Sequence, residues 1–273
     1  MGQRISKLPS LAPFIMVLLV VAGQFSCDGS SDVVSPPERN TYAVTGVLVK
    51  DLNTDLSQLD SSWIAVRLWR NDTLLSDAGV VLDDDTLVFD HPAFPLDSVY
   101  SFAFSPPGLV AAGSHQLSLK DQSRFSDAFA VNVPDTFRVS SYTGDSTVPN
   151  AGGVEMQIAW TAAQNAEGYG VAVVKDDQVY TGAGYTKYVT ETGTQTTIPP
   201  EAFRLSAGEL VVGTYYIFIY AFAGSPDSTF TSELLPVPLR SQLSDNIDRV
   251  DLGGRFGSVV VTRRVPKVVE VIP

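Results

Sequence analysis

Alternation of apolar and polar residues, two by two, runs through this chain from Tyr42 to the C-terminal region, and it restricts the fold to sheets. Between Thr41 and Val49, residues Tyr42, Val44, Gly46 and Leu48 fall on one face of an extended segment. From Trp63 to Trp69, the set Trp63, Ala65, Arg67 and Trp69 alternates with Ile64, Val66 and Leu68. Nowhere from Thr41 to Val139 is there a helical stripe of ten or more residues. Ala78 to Leu82 and Thr86 to Phe89 flank Asp83-Asp84-Asp85, whose short polar side chains suit a tight turn, so a hairpin is expected there. Further strands are expected at 98–104, 113–119 and 125–133, punctuated by Pro106-Pro107-Gly108 and by Lys120 to Arg124.

Residues 41–140 therefore read as a first β-sandwich, immunoglobulin-like or transthyretin-like. A stretch rich in Ser, Thr, Gly, Asp and Pro from Ser140 to Gly153 reads as a linker, after which alternation resumes. Val154, Met156, Ile158 and Trp160 share a face. Tyr169, Val171 and Val173 follow, and Tyr215, Ile217, Ile219 and Ala221 repeat the pattern. This order resembles a fibronectin type III domain. The resemblance implies a Trp buried by the second strand, a Tyr opening the third, and a Tyr-x-apolar-x-apolar-x-Ala run on the sixth. It covers 149–239 and makes Trp160 the expected core anchor. The segment from Asp176 to Ile198 is long for that family and leaves room for an extra hairpin.

Residues 240–273 are expected to form a C-terminal extended arm, in which Ser258 to Val261 is β-prone and Pro266 limits the remaining residues to an edge strand or extended chain. The arm holds six basic and four acidic side chains, against 10 and 26 in residues 28–239, so a +2 tail is joined to a −16 body. Packing of the arm on the body is the simplest expectation. The fold class expected overall is all-β: two tandem β-sandwiches and an arm. Short Gly-rich strings in this ending, behind two β modules, are also similar to a loose group of two-module bacterial envelope lipoproteins.

The N-terminus speaks to location. Arg4 and Lys7 precede an apolar run from Leu11 to Ala22, then Gly23, Gln24, Phe25 and Ser26 lead to Cys27, the one cysteine of the chain. A disulfide would need a partner cysteine, and lipidation needs none. Residues 1–26 resemble the signal peptide of bacterial envelope lipoproteins, with Gln24 standing where that family usually has Leu. The resemblance implies cleavage before Cys27, acylation of that residue, and anchoring to a membrane on the periplasmic or cell-surface side. The apolar run is short of the roughly 20 residues that a spanning helix requires. Residues 27–40, rich in Ser, Asp and Pro, read as a lipidated tether.

Without Arg4 and Lys7 the chain holds 16 basic against 30 acidic residues, a net charge of −14. That balance argues against nucleic-acid partners, which reward basic faces, and fits solubility beside a membrane. The chemistry on offer is thin. The two histidines, His91 and His115, have no promising company; His91 belongs to a turn, and His115 is expected to face outward, opposite Leu117 and Leu119. No nucleophile elbow, zinc-protease helix or phosphate loop occurs. Asp83-Asp84-Asp85 and Asp176-Asp177 lack the ligand spacing of a calcium loop, so no metal and no cofactor is expected. Aromatic side chains of the long segment, Tyr180, Tyr185 and Tyr188, are the candidates for a recognition surface. The chain is thus expected to be a non-enzymatic envelope lipoprotein that binds or assembles a protein or glycan. A hydrolase acting on carbohydrate or another substrate through carboxylate pairs, and a ligand-free structural stalk, are the alternatives.

Overall fold

The fold keeps closely to that alternation. The computed structural model describes residues 41–52, 61–90, 98–104, 109–142, 155–175, 184–190, 192–205, 208, 210–224, 245–262 and 265–269. The described residues all belong to one compact unit within residues 39–273. Cys27, the leader, the tether, His91, Tyr180 and Asp176-Asp177 lie outside the described residues.

Among the described residues the strands in chain order are β1 (Tyr42–Asp51), β2 (Ser61–Arg70), β3 (Thr73–Leu74), β4 (Gly79–Leu82), β5 (Asp85–Thr86), β6 (Val88–Asp90), β7 (Val99–Phe104), β8 (Gly113–Asp121) and β9 (Phe125–Val133). They continue with β10 (Val139–Tyr142), β11 (Met156–Trp160), β12 (Gly168–Lys175), β13 (Gly184–Thr190), β14 (Gln195–Ile198), β15 (Gly213–Gly224), β16 (Ile247–Asp248), β17 (Leu252–Val261) and β18 (Val265–Val269). The one helical element among them is a 3-10 turn at Pro200–Phe203. The protein is all-β.

One large sheet runs β13-β12-β15-β17-β1-β2-β7-β6, with β3, β16 and β18 attached to β2, β17 and β15. Two smaller sheets, β5-β4-β8-β9 and β10-β11-β14, share a core with its inner face. The core they share is continuous: Val44, Ile64, Val66, Tyr169, Val171 and Ile217 of the large sheet belong to one buried cluster with Val80, Leu117 and Leu119 of one small sheet and Met156, Ile158 and Trp160 of the other. Trp160 ends β11, Tyr169 is the second residue of β12, and Tyr215 lies on β15. Trp160 is 3% exposed, its ring 5.4 Å from that of Tyr169, whose hydroxyl accepts a hydrogen bond from the Ala163 amide at 2.8 Å. The long segment after Asp176 holds β13, which forms a hairpin partner for β12, and then β14.

The two modules are not beads on a linker. Residues expected in the arm form β17, which pairs antiparallel with β15 of the second half and parallel with β1 of the first, from Tyr42↔Leu252 to Asp51↔Val261. The cause is in the side chains: Val259, Val260 and Val261 form a continuous apolar run, which only a strand covered on both faces can bury. Ser258 tightens the seam by donating its hydroxyl to the Asn132 carbonyl on β9. Two glycines allow the close approach. A Cβ at Gly46 would lie 2.6 Å from the Phe256 ring, and one at Gly254, where φ is +127°, would strike the Val44 backbone. The module boundary also moves, because Val139–Tyr142, read as module end and linker, pairs with β11 as part of the second half. Pro266 is accommodated as expected, on β18, which among the described residues pairs only with β15.

Candidate recognition surfaces

The aromatic residues singled out on β13 are split by the pleat. Tyr185 pairs across from Val173 and Tyr188 from Gly170, so the two side chains, three residues apart, leave opposite faces of the sheet. Tyr185 is half-buried against the inner core, and burial raises its hydroxyl above the ordinary tyrosine pKa. Tyr188 is 43% exposed and leans on Phe222, ring centroids 5.6 Å apart. The expected cluster is therefore reduced to Tyr188, with exposed Lys187 on the opposite face of the same strand. Strand β13 is an end strand of the large sheet, so among the described residues its outer backbone groups have no neighbouring strand. A groove of about 350 Å³ joins Lys187 to the outward side chains Gln157, Gln195 and Thr197 of the three-stranded sheet.

A second concavity, of about 400 Å³, lies at the seam where β9 meets β15, β16 and β17; Phe129, Asn132, Glu167, Asn246, Asp248 and Arg249 are among its lining residues. Sequence reasoning missed it, since its walls come from four distant stretches. Most of its polar groups hold the seam together. The Asn246 side chain donates to the Phe256 carbonyl at 2.7 Å and accepts from the Phe256 amide at 3.0 Å. Arg249 donates to Asp127 at 2.7 Å and sits 5.7 Å from the centre of the Phe129 ring. Glu167 accepts from the Gly224 amide at 3.1 Å. Glu167 and Asp248 are the carboxylates that face this space.

The acidic triplet is a hairpin tip, as its composition implies: Leu82 pairs with Asp85 across Asp83-Asp84. Asp83 accepts from the Gln116 amide at 2.8 Å and lies 2.6 Å from His115 Nδ1, while His115 Nε2 lies 3.0 Å from the Ala111 carbonyl. Burial alone would raise the Asp83 pKa; the Gln116 and His115 bonds outweigh it and hold the carboxyl below the usual value. His115 does not face opposite Leu117 and Leu119. Residues two apart share a strand face, so it continues their row past the end of the core and anchors the tip. Among the described residues no three His, Cys, Asp or Glu side chains gather into a metal-binding group.

A buried polar group was also illegible in sequence. Asp121, 2% exposed at its side chain, accepts from the Tyr42 hydroxyl at 2.9 Å and from Arg70 at 2.6 Å on the same oxygen. Phe125 stacks on Tyr42 at 4.0 Å. These bonds tie β1, β2 and β8 together.

No protein-family model matches the chain, and no curated protein matches it. Among solved structures it is similar to the chicken CNTN1 FN1–FN3 domains, at 10% identity over 66% of this chain and 83% of that one. The TM-score is 0.22, too low for the likeness to carry an argument about fold or function.

Proposed function

We propose that this protein is a lipid-anchored, non-enzymatic binding or assembly module of the bacterial cell envelope, tethered through Cys27 and taking a protein or glycan partner on the β13 edge. The observation that carries the reading is a strand edge with no neighbouring strand among the described residues, bearing exposed Tyr188 and Lys187 on its two faces. An extended segment laid along such an edge gains main-chain hydrogen bonds, and the aromatic and basic side chains add selectivity. The −14 charge of residues 27–273 supports a soluble body held off a membrane, and the leader motif supports the anchor. The fibronectin-like order of Trp160, Tyr169 and Tyr215 supports a spacer and recognition role in the second half.

Two measurements test it. Detergent partitioning and mass spectrometry of the protein from its own membranes should find Cys27 acylated, and Cys27→Ser should move the protein to the aqueous phase. Affinity capture from envelope extracts should recover a stoichiometric partner that Tyr188→Ala loses. Equal recovery with Tyr188→Ala would remove β13 as the surface, and a free thiol on Cys27 would remove the anchor. Glycan breakdown by the wild type that is abolished by Glu167→Gln or Asp248→Asn would favour the hydrolytic alternative.

A further inference from the structure

The groove beside β13 holds no carboxylate among its described lining, in a chain with 30 acidic and 18 basic residues. Its floor follows from strand register. Ser141 of β10 and Gln195 of β14 stand on either side of Ala159 of β11, and Gln157 stands opposite Thr197 in the neighbouring row. Adjacent strands are about 4.8 Å apart, so Ser141 and Gln195 flank the Ala159 methyl across about 10 Å. That short side chain leaves a hollow of about 350 Å³, at the small end of ligand clefts, which span about 300–1,000 Å³.

Lys187 supplies the charge. It pairs across from Val171, which belongs to the inner core, so the pleat sends its side chain toward the three-stranded sheet and away from Tyr188. The side chains of Lys187, Ser141, Gln157, Gln195 and Thr197 make no hydrogen bond or ion pair among the described residues. One ammonium, two amides and two hydroxyls are thus uncommitted around a single hollow.

That set selects its ligand. Amides and hydroxyls both donate and accept, which suits a ring bearing several hydroxyls, and an ammonium with no carboxylate in the lining suits a negative group on that ring. An acidic peptide is the competing anion. A peptide is held chiefly by an aromatic or large apolar anchor in a pocket, and the apolar residues here are Ala159 and Ile158, the latter 1% exposed and part of the core.

We propose that this groove binds a carboxylate-bearing sugar, a uronic acid within a glycan, with Lys187 pairing its carboxylate and Ser141, Gln157, Gln195 and Thr197 taking its hydroxyls. The assignment rests on the binding reading above and names its ligand class, on the face of β13 opposite to Tyr188. The test titrates trigalacturonate into the isotope-enriched full chain carrying Cys27→Ser and follows the side-chain amide signals of Gln157 and Gln195. Both should shift saturably. Lys187→Gln, an exposed substitution, should weaken the binding about tenfold, as should reduction of the sugar's carboxyls, whereas Tyr188→Ala should leave it unchanged. Equal shifts with acetate would mean an adventitious ion only and would overturn the assignment. So would an affinity indifferent to Lys187→Gln, or shifts that appear with an oligoglutamate peptide and not with the sugar. Absence of uronate binding in protein that still captures its partner through Tyr188 would sink this assignment alone; absence of both would sink the binding role as well.

Discussion

Truncation of Trp160 separates a fused fold from two independent modules. The indole is 3% exposed, fills the core of the second half and meets the Tyr169 ring at 5.4 Å. Removing a buried aromatic of this size costs about 3–5 kcal/mol. One term opposes this, because the indole N–H is buried without a hydrogen-bond partner, and releasing such a group recovers about 1–3 kcal/mol. Trp160→Ala should therefore destabilise by about 2 kcal/mol, which for a unit of this length lowers Tm by about 4–8 °C. Trp160→Phe, which keeps a ring against Tyr169 and loses the unpaired N–H, should cost about 1 kcal/mol or less. The assay has a built-in reporter. Without Trp160 the remaining tryptophans are Trp63 and Trp69, both on β2 in the first half. Their fluorescence in urea should shift its midpoint together with the far-UV circular dichroism, since β17 joins the halves into one sheet. A fluorescence midpoint that stays in place while the dichroism moves would refute the shared sheet. A Trp160→Ala Tm within about 2 °C of wild type would refute the core placement.

Gly254→Ala should be worse tolerated than Gly46→Ala, because its Cβ would overlap the Val44 carbonyl oxygen at a φ of +127°, whereas at Gly46 the nearest atoms are the Phe256 ring at 2.6 Å and the Ala65 carbonyl at 2.7 Å, with no left-handed φ; thermal melts of both variants would show the order. Asp121→Ala leaves the buried Tyr42 hydroxyl without its acceptor and should cost about 1–3 kcal/mol by urea titration, partly restored in Asp121→Asn. Burial raises Tyr42 and Tyr100 above the ordinary tyrosine value, so the folded state prefers their neutral forms. The stability they contribute is intact below about pH 10 and declines as pH rises beyond it, and a urea midpoint unchanged between neutral and strongly alkaline pH would contradict this. Asp83 has the opposite sign: its contribution is present above about pH 4 and is lost as pH falls through its lowered folded value, so Asp83→Asn should flatten the acid limb of the stability profile.

The features legible in the sequence are local ones. Period-two alternation places β1, β2, β8, β9, β11, β12 and β15, because a side chain's face depends only on its neighbours in the strand; on β1, β12 and β15 it marks one buried face, and the structure buries the other as well. The Asp83-Asp84 turn is legible for the same reason. Partner choice is not. Nothing in Leu252 to Val261 states that it pairs with Tyr42 to Asp51, and the Val259-Val260-Val261 run signals only that both faces are buried. The seam cleft and the Tyr42–Asp121–Arg70 group share this property, each assembled from stretches far apart in the chain. Tyr185 and Tyr188 show the converse error: proximity in sequence suggests a shared surface, although an odd spacing on a strand sends side chains to opposite sides.

The parallel contact of β1 with β17 also dictates the order in which this molecule becomes whole. The strand that opens the described fold waits for nearly the last one, so a nascent or truncated chain ending before Leu252 presents bare backbone along both β1 and β15. Such long-range closure is slow, and the interval leaves two adhesive margins exposed to other chains. Loss of residues 252–273 would accordingly reach the first half of the protein as severely as the second, leaving a chain that needs a chaperone until β17 arrives.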